Sequence, residues 1–168
     1  KQFIIHKGKL ATFFVGQIKN INNQKIKSFS EICKDIGLDL FFKKNIKEKI
    51  WEKFIFLSAY SGITTLTQKS IGEIFENPKL RTNFINAMIE TYNLSKYFKV
   101  TFNLNPVEYW LSKIKKMPYD MTSSMYIDFK NKKKLELRWL SGFIVEYSEK
   151  FGLSCIVHRK ILEGISSK

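Results

Sequence analysis

Cysteine is scarce in this sequence: Cys33 and Cys155 are its only two, and they lie far apart with no C-x-x-C pair. This spacing excludes a disulfide framework and a structural zinc site, because both need more cysteines or closer pairs. The longest stretch without an ionised side chain, 54–68, is too short and too rich in serine and threonine to span a membrane. We therefore expect a reducing, cytoplasmic setting and no membrane partner.

Arginine is also scarce, since only Arg81, Arg138 and Arg159 occur among 29 basic residues, although the formal net charge is +14. A charge of this size would suit a polyanion such as nucleic acid. However, the forked guanidinium that recognises phosphates and base edges is nearly absent. We interpret the charge mainly as lysine-rich solvated faces. A basic nucleic-acid-binding helical domain stays as an alternative, based on Lys130 and the lysines at 132–134.

The chain has 168 residues, 44% of them hydrophobic, which is enough for one domain with a sizeable core. Two short apolar runs, 3–8 and 10–16, predict two strands around a glycine-containing turn. No later segment shows the alternation of a strand that could pair with them. Because an isolated hairpin is marginal in water, we expect these strands to be the end of a larger sheet.

The patterns are helical from Ser28 onward. Ser28 and Glu31 have capping-box spacing, and the apolar run that follows ends at Gly37. Residues 46–65 are apolar nearly all round, which is typical of a helix buried at the centre of a domain. Further helices are predicted from 3.6-residue spacing at about 78–98, 106–116, 123–130, 135–151 and 156–166. The predicted fold class is therefore all-α with a short N-terminal β-hairpin.

Lys53 is a candidate catalytic residue because it is the last ionised side chain before the apolar stretch. A lysine that loses part of its hydration becomes a usable general acid near neutral pH. The alternative is that Lys53 extends from the first turns of its helix into solvent.

Glu136 is a second candidate, because the predicted helix 135–151 would place it among Leu140, Phe143 and Tyr147 on an apolar face. A buried carboxylate needs a partner, which Lys53 or a ligand hydroxyl could supply. The alternative is an acid that only favours the positive end of its own helix dipole.

Ser123 and Ser124 precede an apolar run and could simply cap a helix. Alternatively, a serine hydroxyl and the free N–H groups of a helix start could hold a carboxylate. His6 and His158 stand alone, so we assign them no role. The sequence contains no G-x-G-x-x-G and no P-loop, and it therefore shows no dinucleotide site of its own.

These motifs resemble the C-terminal half of the ketopantoate reductase family (2-dehydropantoate 2-reductase). The family carries a tryptophan two residues before its catalytic lysine, as in Trp51-Glu52-Lys53. It also carries a Ser-Met-x-x-Asp run, then an acid twelve residues after the serine, then a glycine. Here these are Ser124-Met125-Tyr126-Ile127-Asp128, Glu136 and Gly142. The opening residues 4–16 resemble the last strands of the family's nucleotide-binding domain.

The resemblance implies reduction of a 2-keto acid, most simply ketopantoate in pantothenate biosynthesis, with NADPH bound mainly by an upstream domain. It implies that Lys53 protonates the carbonyl oxygen, that Glu136 binds a substrate hydroxyl and positions the lysine, and that Ser124 holds the carboxylate. It also implies that residues 28–168 form a helical domain like the C-terminal domain of 6-phosphogluconate dehydrogenase. Residues 1–27 would then be the tail end of the nucleotide-binding domain.

The sequence departs from the family at two substrate-binding positions, where Leu57 and Ser61 replace asparagines four and eight residues after the lysine. Both are expected to point toward the same pocket as Lys53. Leu57 cannot form a hydrogen bond, so the departure predicts either a substrate other than ketopantoate or a weak activity. A non-catalytic paralogue in which the helical domain forms a homodimer stays as an alternative.

Overall fold

The structure is a computed structural model that describes residues 12–17 and 24–167. It divides after Ile50 into two compact units, residues 1–50 and 51–168.

The first unit contains two parallel strands joined through a helix. Its elements are β1 (Phe13–Gly16), α1 (Gln24–Asp35) and β2 (Leu40–Lys43). Phe13 lies opposite Leu40, and Gly16 lies opposite Lys43. Parallel strands cannot be joined by a tight turn, and α1 supplies the crossover. A Cβ on Gly16 would lie 2.3 Å from the Lys43 carbonyl oxygen, so only glycine permits this approach.

The first unit differs from the sequence predictions in two ways. Residues 3–8, the predicted partner strand, lie outside the described residues, and β1 pairs instead with β2. The expectation that no later segment could pair is therefore wrong, because the four residues of β2 are too few to show a period of two. The helix predicted from Ser28 begins four residues earlier, so Ser28 lies inside α1 and does not cap it. Its predicted end is confirmed: Gly37 has a φ of 78° and donates its N–H to Lys34.

The helices that follow are α2 (Ile46–Thr67), α3 (Ile71–Glu76), α4 (Pro78–Tyr97), α5 (Pro106–Ile114), α6 (Ser124–Lys130), a 3₁₀ turn (Glu136–Trp139), α7 (Ser141–Lys150) and α8 (Ile156–Ser166). The predictions for α4, α5, α6 and α8 are confirmed to within a few residues. Proline is the first residue of both α4 and α5, where its missing N–H costs nothing.

Helix α3 is not among the predicted helices, although the signal for its start is present. The Ser70 hydroxyl accepts a hydrogen bond from the Glu73 N–H, and the Glu73 carboxylate accepts one from the Ser70 N–H at 2.7 Å. This second bond is the main reason that the pKa of the Glu73 carboxyl is lowered. Together the two bonds form a complete capping box. The helix itself has only six residues, which are too few for a helical period to be visible in the sequence.

The prediction of a buried central helix is confirmed for α2. Ala59 is fully buried at its middle. The Phe56 ring stacks on Trp110 of α5, with centroids 4.2 Å apart. A Cβ on Gly62 would lie 2.9 Å from Ile161 of α8, so these helices pack without room for a methyl group. The apolar interior of residues 51–168 is thus built around α2.

The all-α fold class is confirmed, with β1 and β2 as a small parallel addition. Among the described residues, no helix combines the length and apolar character that a bilayer crossing requires.

Candidate functional site

Lys53 lies near the start of α2, on a turn held by aromatic rings. The neighbouring Trp51 ring contacts Phe98 and Phe143, with centroids 5.1 and 6.4 Å apart. On another side, the Trp110 indole N–H donates to the Glu52 carbonyl oxygen at 2.7 Å. These contacts fix the backbone from which Lys53 projects.

The Lys53 side chain itself is exposed and has no hydrogen bond or ion pair among the described residues. The described residues therefore do not desolvate Lys53, contrary to expectation. Its side chain extends into solvent, as the alternative predicts. The apolar stretch begins after Lys53, and the nearly continuous run of buried residues in α2 begins at Ile55.

Leu57 and Ser61 follow Lys53 on α2, but they differ in burial. Leu57 is half-buried and packs against the core, whereas Ser61 is only 2% exposed. Every residue from 58 to 65 is buried, on all sides of α2, so Ser61 is enclosed because of its place along the helix and not because of its direction. Contrary to expectation, Ser61 does not share the exposed position of Lys53.

Ser123 and Ser124 at the start of α6 have different roles. Ser123 is the cap, since its hydroxyl accepts from the Tyr126 N–H at 3.1 Å. Ser124 is exposed, and its side chain has no partner among the described residues. The capping reading is thus confirmed for Ser123, and the Ser124 hydroxyl is left available.

A buried hydrogen bond joins the start of α6 to α2. The hydroxyls of Thr64 and Ser123 lie 2.7 Å apart, and Thr64 also donates to the Tyr60 carbonyl. Thr64 lies eleven residues after Lys53, about 16 Å along the helix axis and on nearly the same face. The link therefore attaches Ser124 to the face of α2 that carries Lys53, three turns farther on.

Glu136 does not lie on the apolar face of a helix. The predicted helix 135–151 is broken: a 3₁₀ turn covers 136–139, Leu140 has φ −100° and ψ −96°, and α7 begins at Ser141. Glu136 is exposed, and its side chain has no partner among the described residues. The prediction of a buried acid is wrong. Because the helix is broken at Leu140, Glu136 does not continue the helical rotation of α7 and so does not lie on its apolar face. Glu136 does occupy the first position of the 3₁₀ turn, and the alternative, an acid that only favours the positive end of its own helix dipole, stays a prediction.

His158, to which the sequence analysis assigned no role, is the centre of a buried polar network. Its Nε2 lies 3.0 Å from the Ala87 carbonyl and 2.9 Å from the Thr91 hydroxyl, and its Nδ1 lies 3.1 Å from the Ser141 hydroxyl. Because a carbonyl can only accept, Nε2 carries the proton and Nδ1 accepts from Ser141. Thr91 in turn bonds Ser58 of α2 at 3.1 Å. The network ties α2, α4, α7 and α8 together.

Burial lowers the pKa of His158 to about 4, so the ring is neutral at pH 7. The neighbouring Glu90 carboxylate accepts the N–H groups of Val157 and His158 at 2.8 and 3.0 Å and so caps α8 from α4. Burial raises the pKa of Glu90 despite these bonds. The sequence contains a signal for this network, because small polar residues occur within its apolar helices. Such residues need hydrogen-bond partners when they are buried.

The described residues do not fit a nicotinamide cofactor or a metal. Dinucleotide sites need a glycine-rich turn between a strand and a helix, whereas positions 18–23, between β1 and α1, contain no glycine. Within residues 12–17 and 24–167, no group of three or more His, Cys, Asp or Glu could hold a metal ion. Cys33 and Cys155 are both buried and free.

Together these features define a helical domain around one buried helix, with a lysine, a serine and an acid left exposed and unpaired. Residues 45–168 match the family model described as "Ketopantoate reductase PanE/ApbA C terminal". The chain belongs to this family, and the resemblance seen in its motifs is confirmed.

Two curated relatives extend the match. The chain is 25% identical over 154 residues to the "Uncharacterized oxidoreductase YkpB" of Bacillus subtilis, covering 92% of this chain and 51% of that protein. It is 23% identical over 159 residues to the 2-dehydropantoate 2-reductase of Archaeoglobus fulgidus, covering 95% and 53%. The chain thus spans about half the length of the curated relatives it matches.

Two solved structures share the fold. The dimeric ketopantoate reductase of Staphylococcus aureus superposes with a TM-score of 0.77 at 21% identity, covering 87% of this chain and 51% of that one. D-mandelate dehydrogenase in complex with NADH superposes with a TM-score of 0.79 at 17% identity, covering 92% and 53%.

Proposed function

We propose that this chain is the substrate-binding and catalytic half of an NADPH-dependent 2-keto acid reductase, most simply a 2-dehydropantoate 2-reductase. The observation that carries the proposal is the state of Lys53, Ser124 and Glu136. Each is exposed, none has a side-chain partner among the described residues, and they stand at the spacing of the family's motifs. Polar side chains that a fold leaves unpaired are available to a ligand.

The proposed chemistry is proton transfer to a carbonyl that is being reduced. The Lys53 ammonium donates a proton to the carbonyl oxygen, while Ser124 binds the substrate carboxylate and Glu136 accepts a substrate hydroxyl. The hydride is supplied by NADPH, and no residue in the described part of the chain is assigned a role in that step. The contacts of Trp51 and of the Glu52 carbonyl support this role for Lys53, because they hold its turn of α2 in place.

The first unit is proposed to be the end of a nucleotide-binding sheet. Strand, helix and parallel strand in succession form the repeating unit of such sheets, and β1, α1 and β2 follow that order. The predicted tail of the nucleotide-binding domain, residues 1–27, ends inside this unit. Because residue 28 lies inside α1, the substrate domain is proposed to begin after β2 rather than at residue 28.

The substrate is expected to be less polar at one position than ketopantoate. Leu57 offers a half-buried aliphatic side chain one turn from Lys53, where it cannot pair a substrate hydroxyl. The likeness in fold to D-mandelate dehydrogenase, whose substrate carries a phenyl ring, makes aromatic 2-keto acids part of the test. The alternative consequence of Leu57 is a weak reductase of ketopantoate itself.

The test is consumption of NADPH or NADH by the full-length gene product with ketopantoate, 3-methyl-2-oxobutanoate and phenylglyoxylate. Lys53→Ala is expected to lower kcat by about 10²–10⁴-fold, because it removes the proton donor. Lys47→Ala, an exposed lysine of the same helix, is the matched control and is expected to change kcat less than about twofold. Full turnover by Lys53→Ala would overturn the assignment.

A second variant tests specificity. Leu57→Asn is expected to raise kcat/KM for ketopantoate relative to 3-methyl-2-oxobutanoate by about tenfold, since one hydrogen bond to a substrate hydroxyl is restored. No turnover on any substrate, by folded protein with cofactor bound, would instead favour the non-catalytic dimerisation module.

A further inference from the structure

A cavity of about 500 Å³ opens beside the 3₁₀ turn and α7. None of the five predicted site residues lines it. Its walls carry the aromatic rings of Trp139, Phe143 and Tyr147. Small-molecule sites typically measure about 300–1,000 Å³ and combine a mostly apolar wall with a few polar groups. The cavity therefore has the size and lining of a ligand site.

Trp139 is unusually exposed for a residue of its type. Its side chain is 67% exposed, and the guanidinium of Arg138 lies over its ring, 5.2 Å from the centroid. Leaving so much ring area in water is unfavourable, and tryptophan and arginine are enriched where proteins bind partners. A planar ligand that packs against this ring would remove apolar surface of both the ligand and Trp139 from water.

Among the described residues, Arg138 places a cation beside the cavity, over the Trp139 ring and within electrostatic reach of the Glu146 carboxylate. Its side chain has no ion pair or hydrogen bond among these residues, whereas Arg159 pairs with Glu149 at 2.8 Å. The acid that lines the cavity, Glu146, is bound to Lys150 at 2.6 Å. The planar guanidinium fork matches a carboxylate with two parallel hydrogen bonds, which a lysine cannot do.

Gly142 lines the cavity without a side chain. A Cβ built there would meet no atom closer than 3.4 Å, and its φ is not in the left-handed region. Neither packing nor backbone conformation thus requires glycine at this position, although alanine is the better helix former. The missing side chain leaves free volume beside Leu137 and Arg138.

From this arrangement we infer that the cavity binds a planar aromatic carboxylate. Its ring lies against Trp139, Phe143 and Tyr147, and its carboxylate accepts two hydrogen bonds from the Arg138 guanidinium. This site does not depend on the proposed reductase activity.

The probe is 2-naphthoate, added to the ¹⁵N-labelled full-length protein while the tryptophan indole N–H signals are followed by NMR. The Trp139 signal, assigned with Trp139→Phe, is expected to shift saturably. The Trp110 signal is expected to stay, because its indole N–H is bound to the Glu52 carbonyl. The neutral analogue 2-naphthalenemethanol is expected to bind at least about tenfold more weakly, since it lacks the charge-assisted pair.

Three variants decide whether the cavity is responsible. Arg138→Gln is expected to weaken 2-naphthoate binding at least about tenfold, whereas Arg81→Gln, an exposed arginine outside the cavity, is expected to change it less than about twofold. Gly142→Ala adds a methyl group to the cavity wall and is expected to weaken binding about tenfold without lowering Tm.

Several results would overturn the inference. They are the absence of saturation at millimolar 2-naphthoate, equal losses in the two arginine variants, and a response of Trp51 or Trp110 in place of Trp139. Concentration-dependent self-association that removes the Trp139 response would also overturn it, since the cavity would then be covered by a second copy of the chain.

Discussion

The two compact units differ in how they treat their apolar side chains. In residues 51–168, side chains from α2 to α8 form one core, and Ile55, Phe84 and Ile161 within it are fully buried. In the described part of residues 1–50, Phe29 and Ile36 are 55% and 75% exposed. Helices packed around α2 close a core by themselves, whereas two strands and one helix, the described part of the first unit, are too few to enclose a core of their own. The difference teaches that the fold's stability is concentrated in the helical unit.

The two units also differ in their polar contacts. The helical unit buries a satisfied network around His158, which joins residues up to 71 positions apart in sequence. In the first unit, the exposed Phe14 ring is instead flanked by the ammonium groups of Lys43 and Lys49, at 5.4 and 5.6 Å. Such exposed cation–π contacts contribute only about 0.5–1 kcal/mol each.

The sharpest test of this comparison is the truncation of one phenylalanine in each unit. Phe84→Ala is expected to lower the free energy of unfolding by about 3–5 kcal/mol, because it leaves a cavity next to Phe75 in the core. Phe29→Ala is expected to change it by less than about 0.5 kcal/mol, because the ring is mostly in water. Urea unfolding followed by circular dichroism measures both, and equal losses would contradict the comparison.

The pH dependence of stability is the next largest effect. The folded-state pKa of His158 is lowered from 6.5 to about 4, so the unfolded chain takes up the proton first as the pH falls. The free energy of unfolding is therefore expected to decrease between pH 6.5 and 4, by up to about 3 kcal/mol, and to be unaffected by this group above pH 7. Unfolding curves at pH 7, 5.5 and 4.5 measure it.

The control for this prediction is His158→Gln, which is expected to be less stable at pH 7 but to lose most of the slope. The raised pKa of Glu90 acts in the opposite direction, since stability linked to it is lost as the pH rises. A wild-type slope that survives in His158→Gln would assign the pH dependence to other groups.

The smallest expected effect compares two serines with the same spacing to a glutamate. Ser70→Ala is expected to cost about 1 kcal/mol, because Ser70 caps α3 in a complete capping box. Ser28→Ala is expected to be neutral or slightly stabilising, because Ser28 lies inside α1 and alanine is the better helix former. Thermal unfolding of both variants checks this, and a larger loss from Ser28→Ala would show that the start of α1 is misplaced.

The candidate site illustrates what a pattern predicts and what it does not. The positions of Lys53, Ser124 and Glu136 in the family's motifs could be read directly, and the family membership followed. Their burial could not be read, because the exposure of a side chain depends on helices that pack from elsewhere in the chain. The buried acid at Glu136 was wrong for a local reason too, since a single residue, Leu140, breaks the helix.

The sequence by itself determined helices α4, α5, α6 and α8, the central position of α2 and the family, because capping, proline placement and 3.6-residue periodicity act within a few neighbouring residues. Only the tertiary structure decided that β1 pairs in parallel with β2, that His158 joins four helices, and that the cavity at Trp139 stays open. Each of these depends on contacts between residues distant in sequence, whose free energy no local pattern contains.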